Sequence, residues 1–62
     1  MIYYIQFPSL EAMWDFQEEY VPSNYHCNNV LFRIELDEKI YNKEEMLEKA
    51  RIFQGEEITY EY

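Results

Sequence analysis

Hydrophobic periodicity switches repeatedly along this chain between two and 3.6 residues, and that alternation limits the folds open to it. Residues 2–7, IYYIQF, are almost entirely β-branched or aromatic, the signature of a strand. Both of its faces are apolar, Ile2 and Tyr4 on one and Tyr3, Ile5 and Phe7 on the other. Such a strand is central in a sheet, or it meets a partner with its second face. From Leu10 the period becomes helical, through about Tyr20. Leu10, Met13, Trp14, Gln17 and Val21 fall on one stripe, and Phe16 and Tyr20 widen it. Ser9 stands at the N-cap position and Pro22 ends the helix.

Residues 22–29, PSNYHCNN, read as a polar loop. Residues 30–36, VLFRIEL, alternate cleanly. They predict a strand with Val30, Phe32, Ile34 and Leu36 inward and Arg33 and Glu35 outward. Asp37 and Glu38 then turn the chain. Residues 39–41, KIY, have the composition of a short return strand, although Asp-Glu is not a favoured hairpin turn. Asn42 is placed to cap a second helix, with Glu45 at the capping-box position. Met46, Leu47, Ala50 and Phe53 form its apolar stripe, and Glu45 and Lys49 make an i,i+4 pair. Gly55 stands where a helix C′ residue is wanted. Residues 55–62, GEEITYEY, return to period two. They predict a strand with Ile58, Tyr60 and Tyr62 packed and Glu57, Thr59 and Glu61 in water.

The resulting order, β-α-β-(β)-α-β, predicts an α+β fold in which two amphipathic helices pack on one face of a small sheet. Without 39–41 the sheet has three strands. With it there are four, and the order is that of the split βαβ, ferredoxin-like plan. The 62 residues form a single domain, 1–62. A domain of this size buries only about 60% of its unfolded surface, so its core must be rich. Twelve aromatic residues, seven of them Tyr, meet that need.

Reactive chemistry finds few carriers. His26 and Cys27 are a base and a nucleophile by type. Sequence neighbours in a loop rarely face each other, though, and no third group orients them. A structural zinc site takes about four N/S ligands, and the chain has one His and one Cys. The stretch DEKIYNKEE lacks the spacing and the central Gly of a calcium loop. No Gly-rich phosphate cradle is present. Paired carboxylates lie on exposed helix arcs, and the filled core leaves little room for a cavity of the usual ligand size, about 300–1,000 Å³. The expectation is a protein that is not an enzyme and needs no cofactor or metal. A lone cysteine fits a reducing compartment, and no leader or apolar span is visible, so a cytoplasmic protein without membrane contact is expected.

Charge is the remaining signal. Thirteen acids against five bases give −8, which disfavours direct binding to nucleic acid or anionic lipid. Residues 1–29 hold four acids, Glu11, Asp15, Glu18 and Glu19, and no Lys or Arg. Those four share one helical arc, with carboxylates spaced about 5–6 Å along the axis. DNA carries one phosphate per strand every ~3.4 Å, so the row approaches its charge density. Glu44 and Glu48 of the second helix and Asp37 and Glu38 of the turn add to it. Tyr3, Tyr25, Tyr41 and Tyr62 cannot all fit one small core, and Tyr25 and Tyr41 fit an interface rim. These ten residues are the candidate partner-binding set. The expected function is a small acidic inhibitor of the type carried by phages and mobile elements. It would block a basic, nucleic-acid-binding surface of a larger protein, with DNA mimicry as one form. One alternative is a structural or regulatory subunit that homodimerises through its open sheet face, a reading favoured if that face carries Tyr3, Ile5 and Phe7. Another is an antitoxin-like or immunity-like protein neutralising a basic nuclease.

Overall fold

The computed structural model describes residues 1–58. Six elements follow one another: β1 (Ile2–Gln6), α1 (Leu10–Tyr20), β2 (His26–Asn28), β3 (Arg33–Asp37), α2 (Lys43–Arg51) and β4 (Glu56–Ile58). The four strands form one sheet in the order β2-β3-β1-β4, and every neighbouring pair is antiparallel. β1 and β2 therefore run parallel with β3 inserted between them, which is the split βαβ plan. The α+β architecture expected from the sequence is present, with the four-strand alternative realised.

The fourth strand is not the one the sequence indicated. Residues 39–41 form no strand. Asp37 Oδ1 accepts the Lys39 N–H at 2.9 Å, and the Asp37 carbonyl accepts the N–H groups of Ile40 and Tyr41. These bonds wind the segment into a turn. The strand lies instead at His26–Asn28, inside the expected loop, and all three of its residues are exposed. An edge strand of this kind buries no face, so no alternation marks it. The neighbouring strand also begins later than its pattern implied. Asn28 Oδ1 accepts the N–H groups of Val30 and Leu31, and Phe32 adopts φ 58°. These features close a hairpin loop over residues 29–32, and Val30 is left 82% exposed rather than inward. Ile34 and Leu36 are fully buried, as their alternation requires.

Register assigns the two faces of the sheet. Ile2 stands opposite Asp37, Tyr4 opposite Glu35 and Gln6 opposite Arg33, so these six share the open face. Tyr3, Ile5 and Phe7 point the other way and are buried with Ile34, Leu36, Met13, Phe16, Val21, Met46 and Ala50. Of the two apolar faces of β1, that of Tyr3, Ile5 and Phe7 is thus the core face, because both helices cover it, and the condition that would favour a homodimer is not met. Ile58 pairs with Tyr4 on the open side, not in the core. Glu57 points toward the helices, and Lys43 Nζ meets its carboxylate at 2.7 Å. The expected packing of Tyr60 and Tyr62 lies outside the described residues.

Each helix starts where its cap predicts. Ser9 Oγ accepts the Ala12 N–H, and Asn42 Oδ1 accepts the Glu45 N–H at 2.9 Å. The buried line of α1 runs through Met13 and Phe16. Trp14, expected on the stripe, is 49% exposed. Lys49 forms no salt bridge with Glu45 among the described residues; its Nζ lies 5.7 Å from the Tyr20 ring centroid instead. At the end of α2, Gln54 and not Gly55 takes the left-handed conformation, at φ 63°. Gln54 N–H bonds to the Arg51 carbonyl, and Gly55 N–H to the Ala50 carbonyl at 2.8 Å. That pair of bonds is a Schellman close with Gln54 in the position glycine usually fills. Gly55 answers a different need, because a Cβ there would lie 2.6 Å from Phe7 Cε2.

Two substitutions separate these roles. Gly55→Ala should destabilise the domain by about 1–3 kcal/mol, since the Phe7 ring is packed and has no room to withdraw. Gln54→Gly should stabilise it by about 0.5–1 kcal/mol by relieving the left-handed residue. Urea unfolding of both variants checks the opposite signs.

Candidate partner-binding surface

Helix α1 presents its polar side to solvent along its whole length. Glu11, Asp15, Glu18 and Glu19 are all exposed, and their spacing of three and four residues lines them up on one face. None of them joins a salt bridge among the described residues. The local backbone does not favour this arrangement. Glu11 in the first turn complements the helix dipole, but Glu18 and Glu19 lie in the last turn, which holds no base. Two carboxylates therefore stand where partial negative charge already accumulates.

A shallow depression of about 290 Å³ is lined by Asp15, Glu18, Glu19 and Phe53. Phe53 follows α2 and is half-buried. Its ring centroid lies 6.2 Å from that of Phe16 and 6.3 Å from that of Tyr20, both in edge-on geometry. The inner side of the ring closes the core, and its outer side floors the carboxylate depression. Sequence reasoning placed Phe53 only in the core stripe, because helical period alone cannot show an aromatic shared between core and surface.

The other candidate residues do not join this row. Glu44 and Glu48 are exposed on α2. Lys49 stands over Tyr20 at the seam between the helices, so a base intervenes between the two sets of acids. Asp37 lies at the edge of the open sheet face, 3.7 Å from the Met1 ammonium. Glu38 is exposed in the following turn. Tyr25 and Tyr41 are half-buried, and their hydroxyls are engaged. Gln17 Nε2 donates to the Tyr25 hydroxyl, and the Tyr41 hydroxyl donates to the Ser23 carbonyl. Both tyrosines thus pin the segment between α1 and β2, while part of each ring reaches the surface.

Among the described residues no group of three His, Cys, Asp or Glu side chains gathers as a metal site. No described helix is long and apolar enough to cross a membrane. Cys27 is exposed, and its thiol contacts Asn29 Oδ1 rather than His26. Open depressions of about 490 and 370 Å³ mark the surface, one beside Arg51 and Glu56 and one beside Tyr25 and Glu35. They arise in the grooves between elements, outside a core that is itself filled.

The chain matches no known family, and no curated protein or solved structure is similar to it.

One buried phenol adds a pH dependence. The Tyr3 hydroxyl donates to the Tyr41 carbonyl at 2.8 Å. Burial pushes its pKa well above the ordinary phenol range, and the nearby Glu38, Glu57 and Tyr41 push the same way. The unfolded chain then releases this proton at lower pH than the folded one. Its contribution to stability is complete below about pH 10 and is lost as pH rises beyond that. Wild type should therefore lose more stability than Tyr3→Phe between pH 9 and 11, measured by urea unfolding at each pH. For the α1 row, Glu18→Gln and Glu19→Gln should each stabilise the domain by about 0.3–1 kcal/mol at low salt. Thermal unfolding at two ionic strengths checks both the sign and its screening.

Proposed function

We propose that this chain is a non-enzymatic interaction protein that binds and blocks a basic, nucleic-acid-binding surface of a larger protein, with α1 as its contact face. The observation that carries the proposal is the row of four exposed carboxylates, none in a salt bridge among the described residues and two of them set against the helix dipole. Solubility requires neither feature, since it is met by interspersed charges of both signs. All five bases of the chain lie beyond residue 32, so nothing on α1 itself neutralises the row. Phe53 offers an apolar floor among three of the carboxylates, as needed to receive the stem and head of a lysine or arginine. The net charge would speed encounter, and the ring would add affinity at its centre. A basic nuclease is one partner of this chemistry, which joins the immunity-like alternative to the same surface. The homodimer alternative would use the open sheet face, which carries Ile2, Tyr4 and Ile58 rather than Tyr3, Ile5 and Phe7.

The test is capture on immobilised protein from a lysate of the source organism or its host, with salt elution and DNA as competitor. Wild type should retain nucleic-acid-binding proteins that salt releases and DNA displaces. A Glu11→Gln, Asp15→Asn, Glu18→Gln variant should retain about tenfold less, the equivalent of ~1.4 kcal/mol. Equal retention by the variant would remove α1 as the contact face.

A further inference from the structure

A second concavity lies on the opposite layer of the molecule, where the open sheet face meets the turn after β3. Its volume is about 370 Å³, and Ile2, Tyr25, His26, Glu35, Asp37 and Ile40 are among its lining residues. Two aliphatic side chains there are exposed, Ile2 at 45% and Ile40 at 54%. Neither exposure follows from sequence pattern. Ile2 alternates out of the core because Tyr3 alternates in, and Ile40 is carried outward by the turn that Asp37 closes. Tyr25 is half-buried and held by Gln17. The charged side chains of the lining are Glu35 and Asp37, both half-buried, and no Lys or Arg lines it; Asp37 already meets the Met1 ammonium at 3.7 Å, which leaves Glu35 as the carboxylate without a salt bridge among the described residues.

We infer that this depression receives one long basic side chain, a lysine or arginine, from a partner protein. The occupant follows from two properties found together. Aliphatic and aromatic walls match the methylene stem of such a side chain, and the Glu35 carboxylate matches its charged head. A purely apolar ligand would leave Glu35 to be desolvated without compensation. An acidic one would be repelled. The inference rests on the reading that the chain's partner is basic, and it adds a contact on a face that α1 does not reach.

The test is an amide chemical-shift titration of the full chain with three probes: N-acetyl-arginine amide, N-acetyl-citrulline amide and N-acetyl-norleucine amide. The arginine derivative should produce saturable shifts at residues 24–26, 35–37 and 40. Citrulline, which keeps the shape without the charge, and norleucine, which keeps the stem alone, should bind at least about fivefold more weakly. Glu35→Gln and Ile40→Ser should each reduce the arginine shifts, with unchanged circular dichroism showing that the fold persists. Equal binding of norleucine or citrulline overturns the inference, as do shifts confined to α1 or no saturable shift. Shifts that grow with protein concentration alone assign the surface to a second copy and overturn it too. Capture then separates the two proposals. Loss of retention in the Glu35→Gln, Ile40→Ser double variant supports the second contact. Retention by that variant, with loss in the α1 variant, overturns the depression and leaves the α1 face standing. Retention by both variants removes both.

Discussion

The ring of Phe7 joins the layers of this domain. It is 1% exposed, and its centroid lies 5.2 Å from that of Phe16 on α1. Gly55 brings the α2–β4 connection against the same ring, closer than any side chain at position 55 would allow. The Phe7 N–H also donates to the Phe32 carbonyl at 2.8 Å, which ties in the β2–β3 hairpin. One residue thus fixes a helix, a hairpin and a chain reversal relative to β1. Burial of such a side chain contributes roughly 1.5–3 kcal/mol, a large share in a domain whose whole stability is of the order of 0.05–0.15 kcal/mol per residue.

Because no charged side chain is buried in that core among the described residues, the charge of the chain is confined to the surface, and the fold decides which charges are neighbours. α1 keeps its four acids on one unshared face. α2 mixes Glu44, Glu45 and Glu48 with Lys43, Lys49 and Arg51, so its outer side is closer to balance. No base meets the row on α1 among the described residues, and three of the five bases are engaged elsewhere. Lys43 meets Glu57, Lys49 lies over Tyr20, and Arg33 Nε donates to Gln6 Oε1 at 3.1 Å. The Glu57 hydrogen bond raises the Lys43 pKa, which keeps that base committed as an ammonium. Charge left over in this way is available to a partner.

Much of the plan was legible in the chain, and particular residues show why. Ser9 and Asn42 mark helix starts because a side-chain oxygen satisfies an otherwise unpaired N–H, a local bond that needs no tertiary context. Ile34 and Leu36 announce a buried face because alternation is imposed by the strand itself. The helix caps, the strand cores, the α+β class and the exposed acids of α1 all come from such local rules. Edges and seams were not legible. β2 buries nothing, so hydrophobic pattern had nothing to register. Val30 continues the alternation of β3, yet Asn28 captures the backbone of the loop first. Gly55 resembled a helix stop, while its actual constraint is the Phe7 ring, remote in sequence.

The sequence by itself determined the identity and order of the main elements and the sign and location of the charge, because both depend on residues near one another along the chain. The tertiary structure alone decided which apolar face of β1 became the core, and it set Phe53 among Asp15, Glu18 and Glu19. It also placed Tyr25, Glu35 and Ile40 around one depression. These outcomes depend on which elements pack together. Strand register and helix docking set them through contacts between residues tens of positions apart, and no local pattern encodes such contacts.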